Sequence, residues 1–312
     1  MVEGGAEEAV SVLQAVAPSR AVCRVPATVG EYVKRHRWQV ATSVLLLGFL
    51  YASTSVELVS DWYADPDYSH GFIVPVVFLW LLWERRKALQ TCPLAPQGWA
   101  LGIVALGILQ LYVGRLGAEY FVAHTSLLVM LAGIALYLFG WPLLRKVAFP
   151  VAWLLFMIPL PAILFYAITF PMQLLASRMA SRFLDLLSVT NLREGNVIYL
   201  PHFSMGVAQA CSGITSLITL LAFTVFLGYF LRLRLWTCWV LIASAVPVAL
   251  VTNATRIAGA GLIGNYYGAQ WAEGFFHAFE GWVLFLVAAL IIGGLGVSLR
   301  KLERRRISGA AS

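Results

Sequence analysis

Eight apolar runs dominate this sequence, at about residues 38–57, 71–83, 98–118, 120–141, 147–168, 208–231, 235–264 and 277–299. Most reach the ~20 residues that a helix needs to cross the hydrocarbon core of a bilayer. The run at 71–83 is short by itself, although Tyr68 to Trp83 nearly spans. The run at 235–264 is long, and Gly259, Gly261 and Gly264 predict that it bends or ends early. Such a chain has no means of building a water-soluble surface: 60% of its 312 residues are hydrophobic and 12% are charged. Soluble domains are about 25% charged. The expected fold class is an all-α polytopic membrane protein of about eight transmembrane helices.

Basic clusters punctuate the runs: Lys34, Arg35 and Arg37; Arg85, Arg86 and Lys87; Arg145 and Lys146; Arg232 and Arg234; then Arg300, Lys301, Arg304, Arg305 and Arg306. They follow every second span. With eight crossings and both termini cytoplasmic, every cluster falls inside, together with 17 of the 22 Lys and Arg residues. That satisfies the positive-inside rule. The net charge of +7 is thus a topology signal. No basic patch interleaved with aromatics is present, so no nucleic-acid partner is expected. The basic residues left on the outer side are Arg115, Arg178, Arg182, Arg193 and Arg256.

Three regions follow from this reading. Residues 1–37 form a disordered cytoplasmic tail without the pattern of a cleavable signal. Residues 38–300 form the eight-span domain, and 301–312 a basic cytoplasmic tail. On the outer side, the segment between spans five and six is the longest. Leu174, Leu175, Met179, Phe183, Leu186 and Leu187 recur near helical spacing, with Arg178, Arg182 and Asp185 between them. This predicts an amphipathic helix on the outer membrane surface, the other reading being a continuation of span five. A short extended segment is expected in REGNVIYLP, after its Gly-Asn turn signal. Arg115 and Glu119 are expected to pair with each other in a structural role.

Of the four cysteines, Cys23 and Cys92 fall in cytoplasmic segments and Cys238 lies just inside the membrane from that face. Cys211 alone is on the outer side, without a disulfide partner in this topology. It reads either as a reactive thiol or as a small hydrophobe at a helix end. Its surroundings favour the first. Ser212 and Gly213 follow it and a long apolar helix begins, so unsatisfied N–H groups near the thiol favour a thiolate and can bind an oxyanion. Gly213 permits close approach by a substrate backbone.

Two further residues reach the same depth. Arg256 follows Leu235 by 21 residues, about 31 Å along a helix and one hydrocarbon crossing. An ionisable residue in so apolar a setting is functional by default, the alternative being a snorkelling anchor. Asn253 lies one turn earlier on the same face. His277 opens the eighth span, and Glu280 lies three residues on, placed to orient its ring or to solvate the helix end. A thiol, an imidazole and a fixed cation are the parts needed for acyl transfer through a thioester. Histidine titrates near working pH and suits proton transfer. An arginine side chain is a permanent cation and suits charge stabilisation.

The ordered set ACSGI, NATRI and FFHAFEGW, each at an outer helix end, resembles the exosortase/archaeosortase family, as does the earlier segment DWYADPDYSHGFIVP. The likeness covers about residues 38–300. It implies a membrane-embedded cysteine transpeptidase or protease of a bacterial inner membrane, with its site facing the periplasm. Its substrates would be exported proteins with a C-terminal tripartite signal of the PEP-CTERM type: a short motif, an apolar span and a basic tail. The matching residues are Cys211 as nucleophile, Arg256 and His277. Accounts of the family often make the arginine the proton donor and the histidine the stabiliser; the chemistry above favours the reverse. Gln209 stands where the family pattern has an acidic residue, which puts any role of that position in doubt.

Other readings are weaker. Tyr68 and His70 line the substrate cleft or form an ordinary turn into a helix. The chain has no HExxH, no His pair at i, i+4 and no spaced Cys/His set, so neither metal nor cofactor is expected. A transporter or flippase, or a scaffold in exopolysaccharide or envelope assembly, remains the alternative function. Against the transporter, the chain lacks two similar halves, and its ionisable residues gather at one face, away from the midplane.

Overall fold

The computed structural model describes residues 28–206, 214–268, 270–271 and 275–309. Helices supply nearly all of it, joined by tight turns and one small sheet. Most of the expected N-terminal tail lies outside the described residues, but its end is ordered. Helix α1 (Val29–Arg35) starts at Thr28, whose hydroxyl accepts from the Glu31 amide. The Val29 amide donates to the Cys92 carbonyl at 2.9 Å. Residues 28–37 are therefore folded against the next loop, not tail.

Helices α2 (Arg37–Leu50) and α3 (Ala52–Ala64) are together long and apolar enough for one span and meet at a bend of 56°. At the bend, the buried Tyr51 hydroxyl is 2.9 Å from Ser126 Oγ. Asp65 and Pro66 end α3, since a residue before proline avoids helical backbone, and a 3-10 turn (Pro66–Phe72) leads into α4 (Ile73–Glu84). After the short α5 (Arg86–Gln90), α6 (Leu101–Leu116) and α7 (Tyr120–Leu138) form a tight hairpin. Small residues let their backbones approach, as membrane helices require; a β-carbon on Gly114 would sit 2.5 Å from the Ala123 nitrogen. At Gly140 the backbone is left-handed (φ +85°), and its bare Cα lies against the Ala95 carbonyl. This turn opens α8 (Trp141–Trp153).

The structure departs from expectation next. The run at 147–168 is not one span. Pro159 and Pro161 together remove two backbone donors within three residues and disfavour helical backbone just before each, so α8 closes through a 3-10 turn (Leu154–Met157) and a new helix, α9 (Ala162–Leu186), begins. The supposed surface helix is the second half of α9, which is continuous with the last residues of that run. Its buried face is not the Leu/Met/Phe stripe but Ala176, Ser177, Ala180 and Leu184. Leu175, Leu186 and Leu187 are exposed. Small residues win there because they bring α9 close to a neighbouring helix.

The extended segment is a three-stranded antiparallel sheet: β1 (Leu192–Glu194), β2 (Val197–Tyr199) and β3 (Ser204–Gly206), ordered β1-β2-β3. Arg193 pairs with Ile198, and Ile198 with Met205. Ile198 and Met205 are buried, in one core with Ala180, Leu184, Ile257 and Ala260.

Three helices complete the chain: α10 (Ile214–Phe230), α11 (Leu235–Tyr267) and α12 (Phe275–Gly309). Helix α11 does not end at Gly259, Gly261 or Gly264. It runs for 33 residues, about 50 Å, well past a ~30 Å hydrocarbon core. Gly261 packs on Leu184 and Met205, and Gly264 on the Phe203 ring. These glycines make room for the α9–sheet unit. Helix α12 likewise continues to Gly309 through most of the expected C-terminal tail.

Five helices are long and apolar enough to cross a membrane: Gly98–Leu116, Tyr120–Leu138, Ala162–Leu186, Leu235–Tyr267 and Val283–Arg306. The bent α2–α3 pair makes a sixth. The protein is multi-pass and all-α apart from the sheet, but on length and composition the described helices give five or six spans, not eight. Helices α4 and α8 are too short alone, with 12 and 13 residues. They lie antiparallel: Trp153 Nε1 donates to the Val74 carbonyl and Arg85 Nη1 to the Lys146 carbonyl.

The basic clusters gather at one end. Val29, Cys92, Leu143 and Val147 share a core. The Arg85 guanidinium stacks over the Tyr229 ring, 5.0 Å from its centroid. Beyond Tyr229, Glu303 accepts from the Arg234 amide and the Thr237 hydroxyl. Toward the other end, Arg115 does not pair with Glu119. It reaches Glu57 at 3.7 Å and donates to Ser53 and Thr54.

Candidate functional site

Arg256 stands 21 residues into α11, which starts at Leu235 as expected. It is half-buried and lines a cavity between the last three helices. Helix α10 supplies Ser216 and Leu220, helix α11 supplies Ala249, Thr252, Asn253 and Arg256, and helix α12 supplies Leu284, Phe285 and Ala288. The spacings are helical (i, i+3, i+4, i+7), so each helix turns one face inward. The space is about 20 Å³, room for about one water. Ser216, Thr252, Asn253 and Arg256 make part of the lining polar; of the apolar part, Leu220, Ala249 and Ala288 are all at most 3% exposed. Among the polar residues, Thr252 spends its hydroxyl on the Val248 carbonyl and so turns hydrocarbon toward the space.

Asn253, expected beside Arg256, is buried and lines the same cavity. Gln209, Cys211, Ser212 and Gly213 lie outside the described residues. His277 and Glu280 fall in the first turns of α12, and their side chains also lie outside what the structure describes. Of the three expected catalytic residues, Arg256 is therefore the one whose surroundings are defined. Sequence reasoning missed Ser216 and Thr252. Their signal was helical spacing: Ser216 shares a face with Leu220, and Thr252 lies one turn before Arg256.

Tyr68 and His70 are not among the residues lining this cavity. Both sit in the 3-10 turn after α3. Tyr68 is buried in a core with Trp62, Trp153 and Met157, and burial pushes its hydroxyl up to about 12. His70 Nε2 donates to the Phe156 carbonyl at 3.0 Å, tying the two 3-10 turns together. Burial, opposed by that hydrogen bond, holds its pKa below the ordinary histidine value. Both residues act here as packing and turn-locking groups.

A family model described as transmembrane exosortase matches residues 62–294. That stretch contains the Cys211, Arg256 and His277 segments and all nine cavity residues. No curated protein and no solved structure matches the chain.

Proposed function

The chain belongs to the transmembrane exosortase family, and on that premise we propose that it is an integral-membrane cysteine transpeptidase that cleaves the PEP-CTERM-type sorting signal of exported proteins at the outer face of a bacterial inner membrane. Its termini face the cytoplasm in this reading. The gathering of the basic clusters at one end supports that orientation, because basic loops are retained inside.

The chemistry proceeds in balanced steps. His277 accepts the Cys211 thiol proton, and the thiolate attacks the scissile carbonyl carbon. Arg256 offsets the negative charge that develops on the carbonyl oxygen. The C–N bond breaks as His277 returns the proton to the departing amine, leaving an acyl-thioester. An amine, a hydroxyl or water then attacks that carbonyl and gives its proton to His277; the C–S bond breaks, and the departing Cys211 thiolate takes the proton back from His277. Asn253 lies one turn from Arg256 and is available to a substrate carbonyl. Glu280 is placed to orient the His277 ring.

The observation that carries this reading is Arg256. It is a cation at the depth of one hydrocarbon crossing, lining a cavity between the helix that follows Cys211 and the helix that holds His277. An ionisable residue so placed in a membrane helix marks a functional site by default. The test is co-expression of an exported protein bearing a tripartite tail with wild type and with Cys211→Ala. Substrate size is followed by mass spectrometry. Loss of processing in the variant is expected; normal processing would favour a scaffold or a flippase.

A further inference from the structure

We propose that the cavity beneath Arg256 is a side-chain subsite that selects a small residue at the substrate position supplying the scissile carbonyl, with Ala249 and Ala288 setting its size. The inference rests on the transpeptidase reading above and assigns that site its specificity.

The placement of the cavity is the first argument. Helices α10 and α12 run toward the basic end, and α11 runs away from it. Ser216 and Leu220 follow Cys211 by five and nine residues, and Phe285 and Ala288 follow His277 by eight and eleven. Asn253 and Ala249 precede Arg256 by three and seven. On α11 and α12 the rest of the lining therefore lies on the basic-end side of Arg256 and His277, and on α10 it begins in the first turn, at Ser216. The cavity is a floor under the chemistry, reached by a side chain that points toward the membrane interior while its carbonyl stays level with Arg256.

Its size and surface set the ligand. About 20 Å³ holds hydrogen, methyl or hydroxymethyl, not an isobutyl or benzyl group. Ala249 and Ala288 close it and belong to a packed core with Leu217, Leu220, Leu241 and Ile292. Such a core does not yield to an extra methylene without strain. Ser216 and Asn253 in the lining suit the polar backbone of an extended peptide. Glycine, alanine and serine are the residues this space accepts.

The experiment uses the full-length enzyme in membranes with a co-expressed exported reporter carrying a tripartite tail. The cleaved bond is mapped from the product mass, and the residue before it is then set to Gly, Ala, Ser, Leu or Phe. Wild type is expected to process the first three at least about tenfold faster than Leu and Phe, the scale of discrimination a small pocket supplies. Ala249→Val should slow the Ala and Ser substrates about tenfold relative to Gly. Leu220→Ala should raise the Leu substrate about tenfold relative to Ala. Equal processing of Ala and Phe by wild type overturns the proposal without recourse to any variant. Unchanged ratios in both variants, each still processing the Gly substrate, overturn it too. Failure of the underlying reading looks different: Cys211→Ala would then process the Gly substrate at the wild-type rate.

Discussion

The Phe203 ring lies against Gly264 so closely that a β-carbon there would be 2.2 Å from the ring's Cζ. Phe203 is eight residues before Cys211 and Gly264 eight after Arg256. One contact thus fastens the turn just before β3 to the helix carrying the proposed cation. Gly264→Ala should displace the ring and cost about 1–3 kcal/mol, the usual penalty of overpacking. Thermal unfolding in detergent measures it. Phe203→Leu in the same chain should recover part of the loss, because the clash is with the ring.

His70 ties the turn after α3 to the turn after α8, and burial holds its pKa below the ordinary 6.5. A histidine whose folded pKa is depressed stabilises the fold above the unfolded value, and the contribution falls away as pH drops below it. Wild type should therefore lose melting temperature between pH 7.5 and 5.5. His70→Asn should melt lower at pH 7.5 and show a shallower fall. Parallel slopes for the two proteins would remove His70 from the effect.

Arg115 serves the first half of the bundle, not the chemistry. It joins α6 to α3 through Glu57, Ser53 and Thr54. Both members of the ion pair are more than a third exposed, so most of their worth lies in the hydroxyl bonds. Arg115→Met should cost about 1–2 kcal/mol of stability and leave processing per folded molecule unchanged.

Arg256 should behave oppositely. Arg256→Gln keeps much of the side chain's reach and removes its charge. Processing should fall about 100- to 1,000-fold, the usual effect of deleting an oxyanion stabiliser, with little change in melting temperature. Processing within threefold of wild type would assign Arg256 to anchoring.

Much of this architecture was legible in the sequence, and the failures have physical causes. The start of α11 at Leu235, 21 residues before Arg256, followed from hydrophobicity. The Gly-Asn turn and the β-branched residues after it announced β2, whereas β1 and β3 carried no signal of their own. Hydrophobicity alone misread Pro159 and Pro161, which are apolar but, two in three residues, remove the backbone donors a helix needs, so the end of α8 and the start of α9 looked like one span. Gly261 and Gly264 looked like breaks because their packing partners, Leu184 and Phe203, are distant in sequence. Arg115 was matched to its nearest acid, Glu119, when its partner Glu57 lies in another helix. Ser216 and Thr252 carried no local chemical signal; only the convergence of three helices makes them part of a site.

The central claim is that Cys211 forms an acyl-enzyme, and the intact mass of the enzyme tests it most directly. Wild type incubated with a tripartite-tail substrate and quenched in acid should gain the mass of the substrate fragment upstream of the cut. Hydroxylamine should release that fragment, as it does a thioester, and Cys211→Ala should show neither adduct nor product. Normal product from Cys211→Ala, with no adduct on wild type, would contradict the account.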